Sequence, residues 1–270
     1  MAGDNGCYLY HGGASTCSAK VRFALAEKGV QWNGQLMDVR GGETHESEYL
    51  KVNPKGLVPV LVHRGNVIAE SSIINEYIDD AFDSTSLIPC NAEDKAAMRM
   101  LIRRVDDELH SAVGMLSFAT FVGDFYKGVG RAKYQQYINT MPDKSIKDAV
   151  MNMMDEGVGG DLFEKCIHRS VKLLSDFNGV LAGRKWFLGG DFSLADIAIS
   201  PYINRLEMLQ ILPSIVGDEM PDLMRWFNRV RGRDHFSGAV SAWISETECQ
   251  LMAEGGSVVA GRVNRILGSN

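Results

Sequence analysis

The chain has 270 residues, of which 45% are hydrophobic and 23% charged, and this composition is typical of a globular protein with one or two packed cores. The net charge of -6 disfavours a nucleic-acid partner, because phosphate binding needs a basic surface, whereas a small anionic ligand needs only a local basic pocket. The five cysteines lie at wide, irregular spacing without a CxxC pair, so the sequence predicts neither a disulfide framework nor a metal site.

No segment of the sequence is typical of a membrane protein. The N-terminal residues lack a basic segment followed by an apolar one, and no run approaches the ~18 consecutive apolar residues of a membrane-spanning helix. We therefore expect a soluble, cytoplasmic protein that has no membrane partner.

The first predicted strand, Cys7–Tyr10, ends at two glycines, and a helix follows over Ser18–Lys28. Small hydroxyl and thiol residues occupy the start of this helix, where backbone N–H groups have no partner within the helix: Ser15, Thr16 and Cys17. Such a helix start favours anions, thiolates included. A hydroxyl here can donate a hydrogen bond to the thiolate of another molecule, and Cys17 can itself be a nucleophile; the spacing leaves both open.

Strands and helices continue to alternate as far as Phe82. A strand is predicted at Asn33–Asp38, followed by a polar loop and a short helical turn that ends near Leu50. Pro59 begins the next strand, because proline cannot donate to a strand ladder and belongs at a strand start, an edge or a cis bond. A hairpin and a helix to Asp80 complete the predicted order β-α-β-α-β-β-α.

Beyond residues 83–91 the pattern changes to long helical periods with few strand signals. Helices are predicted at Ala92–Ser117, Leu162–Phe177, Ala195–Leu209 and Pro221–Arg231, with an apolar stripe at Ala239–Met252. Helix pieces joined by loops are expected between Gly128 and Gly160, and a loosely held tail from Glu254 onward. The sequence thus predicts an α/β domain over residues 1–84 and an all-helical domain over residues 92–270.

A capping box is predicted at Ser193–Asp196, where a hydroxyl at the N-cap is followed three residues later by a carboxylate. Each side chain is expected to pair with the other's backbone N–H. Its role is in folding rather than in catalysis, since loss of such a cap costs ~1 kcal/mol of stability.

The α/β half with Val58-Pro59 and Glu70-Ser71, followed by a helical half with the Ser193–Asp196 box, resembles the glutathione S-transferase superfamily over nearly the whole chain. The resemblance implies a thioredoxin-like N-terminal domain, an all-α C-terminal domain, glutathione as cosubstrate and a homodimer. The segment Ser15–Arg22 is similar to the serine-type members, which include the theta, zeta and related bacterial classes. In those families an early hydroxyl activates the glutathione thiol.

By position, the resemblance implies that Ser15 is the catalytic hydroxyl, with Thr16 in this role if the loop is shifted by one residue. It further implies that Ser15 contacts glutathione, that Val58, before a cis Pro59, pairs its backbone with the cysteinyl part, and that the γ-glutamyl end is bound by Glu70 and Ser71. Cys17 falls on a packing position two residues after the omega-type nucleophile.

The glycyl end of glutathione is expected near His45, which aligns with a histidine of theta-like enzymes. Several classes have a lysine or glutamine where this chain has Leu57. Lys55 is the candidate that substitutes for it.

The hydrophobic substrate is expected between the loop after Tyr10 and the first long helix of the second domain. Candidate walls are large apolar side chains, namely Met115, Phe118, Phe121, Phe125, Tyr126 and, from the C-terminal region, Trp243.

The N-terminal half and the segment Ala97–Phe118 also resemble the bacterial β-etherases, which use glutathione to cleave lignin-derived β-aryl ethers. The predicted function is therefore a glutathione transferase acting on a hydrophobic, aromatic small molecule, with aryl-ether cleavage as its most specific form. Two alternatives stay open: a glutathione-binding protein without catalysis, motivated by Leu57, and a thiol–disulfide redox enzyme that uses Cys17.

Overall fold

The computed structural model describes residues 6–122, 138–139 and 144–268. Contacts between residues divide the chain into two compact units. The first unit consists of Met1–Ile102, Trp186–Pro201 and Arg229–Ser245, and the second of Arg103–Lys185, Tyr202–Asn228 and Glu246–Asn270. The domain division at residues 84 and 92 was inferred from sequence pattern and stays a prediction.

The first unit begins with a four-stranded sheet and three helices in the predicted order. These are β1 (Cys7–His11), α1 (Thr16–Glu27), β2 (Asn33–Leu36), α2 (Ser47–Val52), β3 (Val60–His63), β4 (Asn66–Ala69) and α3 (Ser71–Ala81). The strand order in the sheet is β2-β1-β3-β4, with β2 parallel to β1 and the other two pairs antiparallel. The predicted α/β architecture is confirmed.

Apolar periodicity explains how α1 and α3 pack on each other. Val21 and Leu25 of α1 and Ile74 and Ile78 of α3 recur at i and i+4, so each pair lies on one face of its helix, and all four are fully buried. A second core cluster of Met37, Tyr49 and Val60 includes Val58, which precedes β3.

Helices follow the sheet, as predicted. The first is α4 (Ala92–Arg104), which continues through a π-helical turn at Val105–Leu109 into α5 (His110–Ser117) and a second such turn at Phe118–Val122. The wider turn is visible where the His110 amide donates to the Val105 carbonyl, five residues earlier. The predicted helix Ala92–Ser117 is therefore present, with an extra residue accommodated near its middle.

The remaining α-helices of the described residues are α6 (Lys144–Glu156), α7 (Asp161–Val180), α8 (Leu194–Met208), α9 (Leu212–Val216), α10 (Pro221–Arg231) and α11 (Glu246–Leu267). Within the described part of the chain, none of the helices has the length and hydropathy that crossing a bilayer requires.

The capping box before α8 forms with one difference from the prediction. Asp196 accepts from the Ser193 amide at 3.0 Å, as expected, but the Ser193 hydroxyl accepts from the Ala195 amide at 3.3 Å instead of from that of Asp196. The buried Asp196 carboxylate also accepts from the Phe187 amide at 3.2 Å. The box therefore fixes both the start of α8 and the chain that precedes it.

The expectation of a loose tail after Glu254 is wrong, because α11 runs to Leu267. Met252, Val259 and Val263 bury one face of this helix. The two consecutive glycines of this helix, Gly255 and Gly256, have a packing role: a Cβ on Gly256 would overlap the carbonyl of Leu209.

We predict that Gly256→Ala destabilises the protein by about 1–3 kcal/mol, because the added methyl group forces the helix away from the Leu209 carbonyl. The matched control is Gly261→Ala in the same helix, where the added Cβ has its nearest neighbour at 3.8 Å. This control is expected to stabilise by about 0.5–1 kcal/mol, because alanine favours helix more than glycine does. Urea unfolding measures the free energy of unfolding of both variants, and equal changes in the two would contradict the packing role of Gly256.

Candidate active site

The sheet register places three chain segments at one edge of the sheet. Tyr10 of β1 is opposite Val60 of β3, and Val60 is opposite Ala69 of β4. The end of β1, the start of β3 and the end of β4 therefore lie side by side. The segments that follow or precede these strand ends contain Ser15, Val58-Pro59 and Glu70-Ser71, so residues far apart in sequence come to one edge.

Ser15 is the N-cap of α1, in extended backbone geometry with φ of -72° and ψ of 119°. Its hydroxyl oxygen accepts a hydrogen bond from the Ser18 amide at 3.1 Å, and its carbonyl accepts from the Ala19 amide at 2.9 Å. Because the amide bond uses only a lone pair of the oxygen, the hydroxyl proton is available to a further acceptor. The residue is half-buried.

Gly12 brings the Ser15 loop close to the cis-proline loop. A Cβ on Gly12 would lie 3.3 Å from Cβ of Ser15 and 3.3 Å from Cγ2 of Val58, so a side chain here would force its neighbours apart by a few tenths of an ångström. The fully buried Ser18 hydroxyl accepts from the Gly12 amide at 3.1 Å and fixes this glycine. The structure thus brings together Ser15 and Val58, as predicted.

The peptide bond between Val58 and Pro59 is cis, as the family resemblance implied. The loop before it is held at the Leu57 carbonyl, which accepts from the Tyr49 hydroxyl at 2.7 Å and from the Asn53 amide group at 2.8 Å. Burial raises the pKa of Tyr49, so this hydroxyl stays protonated as a donor. Sequence reasoning missed both supports; the only local signal was the Asn-Pro turn.

Glu70 and Ser71 form the turn from β4 into α3. Glu70 has a φ of 68°, a left-handed conformation that is uncommon for a residue other than glycine, and such positions concentrate at binding sites. Ser71 is the first residue of α3 and is buried, with 8% of its surface exposed. The exposed Glu70 carboxylate and the start of α3 therefore point to binding of a charged ligand end.

A buried lysine connects α1 to the start of α3. The Lys20 ammonium donates to the Ser72 hydroxyl at 2.9 Å, and the Asn75 amide group donates to the Lys20 carbonyl at 3.5 Å. This contact links the helix that Ser15 caps to the turn that contains Glu70. Sequence reasoning missed Lys20, because a lysine in an amphipathic helix is usually on the solvated face.

Lys55 and Glu70 form an ion pair at 2.7 Å, with 67% and 59% of their side chains exposed. The Glu70 carboxylate raises the pKa of Lys55 through this hydrogen bond. His45 lies against the same loop: a Cβ on Gly56 would meet its ring at 2.5 Å, and desolvation lowers the pKa of His45. The two residues predicted for the glycyl end, His45 and Lys55, therefore meet at one loop, and Lys55 is paired there with Glu70, which was predicted for the γ-glutamyl end.

Thr16 and Cys17 are the first two residues of α1, and both are half-buried. The expectation that Cys17 is a buried packing residue is therefore not met. None of the five cysteines, all of them in the described part of the chain, forms a disulfide. The same part of the chain has no group of three or more His, Cys, Asp or Glu residues that could hold a metal ion.

The predicted substrate walls have different locations. Phe118 and Phe121 are buried in the second unit with 8% and 3% exposure, and Met115 is half-buried there. Phe125 and Tyr126 lie outside the described residues. The contact of these residues with a substrate stays a prediction.

Trp243 belongs to the first unit and lies against the loop that precedes Ser15. A Cβ on Gly13 would overlap the Trp243 carbonyl. The Trp243 ring meets the His11 ring edge-on at 4.7 Å between centroids and lies 5.8 Å from the Trp32 ring. Trp32 is a neighbour that sequence reasoning did not identify.

His11 is neutral at this position. It is buried with 2% exposure, and Nη1 of Arg22 lies 3.2 Å from its Nδ1, so Nδ1 accepts and Nε2 bears the proton. Burial and the positive charge of Arg22 lower the pKa of His11 to about 4.

Two family models match the chain. The model of the glutathione S-transferase N-terminal domain matches residues 14–81, and that of the glutathione S-transferase C-terminal domain matches residues 150–234. The two ranges together span more than half of the chain. The first includes Ser15, the cis Pro59 and Glu70, and the second includes the Ser193–Asp196 box.

Individual proteins match over most of their length. Protein LigF of Sphingobium sp. strain SYK-6 is 26% identical over 235 residues, which cover 83% of this chain and 89% of LigF. Glutathione S-transferase 1 of Dianthus caryophyllus is 29% identical over 214 residues, which cover 77% of each chain. The crystal structure of the beta-etherase LigF has a TM-score of 0.78 at 24% identity, covers 87% of this chain and 98% of that chain, and has the same fold.

We predict that the free energy of unfolding falls by about 3 kcal/mol between pH 6.5 and pH 4 on account of His11. The unfolded histidine binds a proton below its ordinary pKa of 6.5, whereas the folded one resists protonation down to about 4, so acid favours the unfolded chain. His11→Asn removes this dependence. Urea unfolding at several pH values measures it, and an equal pH dependence in both proteins would contradict the assignment.

Proposed function

The chain belongs to the glutathione S-transferase superfamily, and from this premise we propose that it is a glutathione transferase that ionises the glutathione thiol at Ser15 and directs the sulphur at a hydrophobic, aromatic electrophile. The observation that supports this function most is the meeting of Ser15, the cis Val58-Pro59 bond and Glu70 at one edge of the sheet.

The residues at the sheet edge fit glutathione, a tripeptide with an ammonium group and a carboxylate at one end and a second carboxylate at the other. The exposed Glu70 carboxylate suits the γ-glutamyl ammonium, and the start of α3 at Ser71 suits the γ-glutamyl carboxylate. The backbone of Val58 suits the cysteinyl part. His45 is left for the glycyl carboxylate, and Lys55 can contribute there when its ammonium leaves Glu70, its partner in this structure.

Ser15 acts in this mechanism as a hydrogen-bond donor and not as a base. Its oxygen already accepts from the Ser18 amide, which polarises the hydroxyl and leaves its proton for the thiolate. The hydroxyl therefore stabilises the ionised thiol in preference to the neutral one.

A hydrogen bond from Ser15 and the start of α1 together contribute enough free energy to ionise the glutathione thiol at neutral pH. A thiol with a pKa near ~8.5 is only a few per cent ionised at neutral pH, and lowering this value by ~2 units requires roughly 2.7 kcal/mol. A hydrogen bond to a charged group contributes ~1.5–3 kcal/mol, and a helix N-terminus contributes a further ~0.3–1 kcal/mol. A neutral hydroxyl at a helix start therefore suffices without a general base.

The most specific form of the proposal is β-aryl ether cleavage. The thiolate attacks the carbon that bears the aryloxy group and is adjacent to the ketone carbonyl. A carbon–sulphur bond forms at this carbon as its bond to the aryl ether oxygen breaks. The electron pair of that bond leaves with the phenolate, and glutathione stays on the carbon as a thioether. The similarity to LigF over most of both chains supports this choice of substrate, and Trp243 beside the Ser15 loop suits an aromatic ring.

A homodimer is part of the proposal, since it is implied by the family. A light-scattering mass equal to that of one chain, 29.7 kDa, would contradict it.

The experiment that tests the function measures glutathione-dependent release of a fluorescent phenolate from an α-keto β-aryl ether, with a chlorinated aromatic electrophile in parallel. Release of the phenolate supports ether cleavage, and conjugation of the chlorinated compound alone supports a broader transferase. Glutathione binding without either reaction would contradict the proposal and favour a binding protein.

We predict that Ser15→Ala lowers kcat/KM at neutral pH about 10- to 100-fold, because loss of a charge-assisted hydrogen bond raises the thiol pKa by about one to two units. Glutathione binding, measured by calorimetry, is largely retained. Ser15→Thr, which keeps both the cap and the hydroxyl, restores most of the activity.

The two neighbouring residues provide the controls for Ser15. Thr16→Val is expected to keep activity, and a larger loss in Thr16→Val than in Ser15→Ala would assign the donor to Thr16. Cys17→Ala is also expected to keep activity, and its inactivation would support redox chemistry at Cys17 instead.

We predict that Lys55→Met raises KM for glutathione about two- to fivefold, because one exposed charge near the glycyl carboxylate is lost. The matched control is Lys51→Met, since Lys51 is equally exposed and forms an exposed ion pair with Glu48 at 2.5 Å. The difference between the variants is expected to shrink in high salt. Equal KM values for the two variants would exclude Lys55 from the site.

A further inference from the structure

Arg22, the seventh residue of α1, is buried with 1% exposure and holds the loop before Ser15. Its Nη1 donates to the Gly12 carbonyl at 2.9 Å and its Nη2 to the Gly13 carbonyl at 3.1 Å. Its Nε donates to the Ala239 carbonyl at 2.8 Å. The guanidinium carbon also lies 5.4 Å from the centre of the Trp243 ring. One side chain thus joins the Ser15 loop to the segment at residues 239–243.

The charge of this guanidinium is not neutralised. Its hydrogen-bond partners are three carbonyl oxygens and the neutral ring of His11, and no carboxylate among the described residues pairs with it. Burial lowers the pKa of Arg22 to about 9, still above neutral pH, so the group remains protonated. A buried charge without a counter-charge is costly, and charges in this situation normally have a partner.

This charge is connected to the backbone of the proposed catalytic serine through one carbonyl group. The Gly12 carbonyl that accepts from Arg22 also accepts from the Ser15 amide at 3.4 Å, so one oxygen atom connects the two residues. The start of α1, with its own partial positive charge, is at the same place. An anion bound at Ser15 is therefore stabilised by two sources of positive charge, the Arg22 guanidinium and the start of α1.

We propose that Arg22 is a positioning residue: it holds the Ser15 loop, and its unneutralised charge lowers the thiol pKa of bound glutathione. The glutathione thiolate is the counter-ion of this buried guanidinium. This inference rests on the proposed function, because it assumes that glutathione binds at Ser15. A neutral residue with the same hydrogen bonds would hold the loop equally well, so the charge is what distinguishes this role from a structural one.

Few other titratable or charged groups face this region in the described structure. His11 from β1 is neutral above its pKa of about 4, and Cys17 lies two residues beyond Ser15. From α1, the buried Lys20 ammonium donates to the Ser72 hydroxyl at 2.9 Å and adds a positive charge at the start of α3. The Lys55–Glu70 ion pair contributes opposite charges that largely cancel. The segment at residues 237–243, which packs on α1, contains no ionisable side chain.

The test measures the thiol pKa of bound glutathione in the full-length enzyme, from thiolate ultraviolet absorbance and from the pH profile of kcat/KM. Arg22→Gln is expected to raise this pKa by about one unit, which lowers the thiolate fraction about tenfold at neutral pH. The thiol pKa in Arg22→Lys, which keeps a positive charge, is expected to lie between the values in Arg22→Gln and in the wild type. Equal thiol pKa values in the two variants, or no change in Arg22→Gln, would overturn the proposal.

A second pair of variants keeps the test decisive if Arg22→Gln fails to fold. His11→Asp places a carboxylate beside Arg22 and neutralises its charge without removing it, and His11→Asn is the uncharged control. The thiol pKa is expected to be about one unit higher in His11→Asp than in His11→Asn. Equal values would overturn the proposal.

Failure of this inference is distinguishable from failure of the proposed function. A wild-type enzyme that binds no glutathione or turns over no electrophile contradicts the function itself. A wild-type enzyme with a lowered thiol pKa that is insensitive to Arg22 contradicts only the role of Arg22.

Discussion

The carbonyl oxygens of Gly12 and Gly13 point at one guanidinium, and the position of Ser15 depends on these two hydrogen bonds. The loop between β1 and α1 has no regular structure of its own, so its backbone groups need partners elsewhere. Arg22 satisfies the two carbonyls, and Ser18 satisfies the Gly12 amide. With its glycines fixed, the loop brings Ser15 to the start of α1 in the geometry of an N-cap.

Capping and thiol activation are compatible in Ser15. The cap uses a lone pair of the hydroxyl oxygen, and activation uses the hydroxyl proton. The same hydrogen bond that stabilises the helix start therefore orients the donor toward the ligand. A structural and a catalytic role in one residue explain why the early turn of this chain shows both helix-start and thiol chemistry.

Local patterns sufficed to predict much of the first unit and of its site. A hydroxyl before an apolar helical period favours an N-cap at Ser15, because this signal lies within a few residues. The local signal at Pro59 left a strand start, an edge or a cis bond open, and the family resemblance implied the cis bond. The supports of these residues could not be predicted. Arg22 donates to Ala239, 217 residues away, and nothing in the sequence near Arg22 indicates that a distant segment covers it.

The same physical limit explains the error in the C-terminal region. Chain ends are commonly loosely held, so a loose tail is expected after Glu254, and consecutive glycines weaken a helix on propensity alone. The helix forms because Gly255 and Gly256 allow close approach to the carbonyls of Thr120 and Leu209, and tertiary packing overrides propensity. These contacts join residues that are 135 and 47 positions apart, so they leave no local signal in the sequence.

The most direct test of the central claim is a crystal structure of the enzyme with glutathione bound. The account predicts the glutathione sulphur within hydrogen-bond distance of the Ser15 hydroxyl oxygen, the cysteinyl backbone paired with Val58, and the γ-glutamyl end at Glu70 and Ser71. A sulphur atom placed on Thr16, or joined to Cys17 in a mixed disulfide, would contradict it.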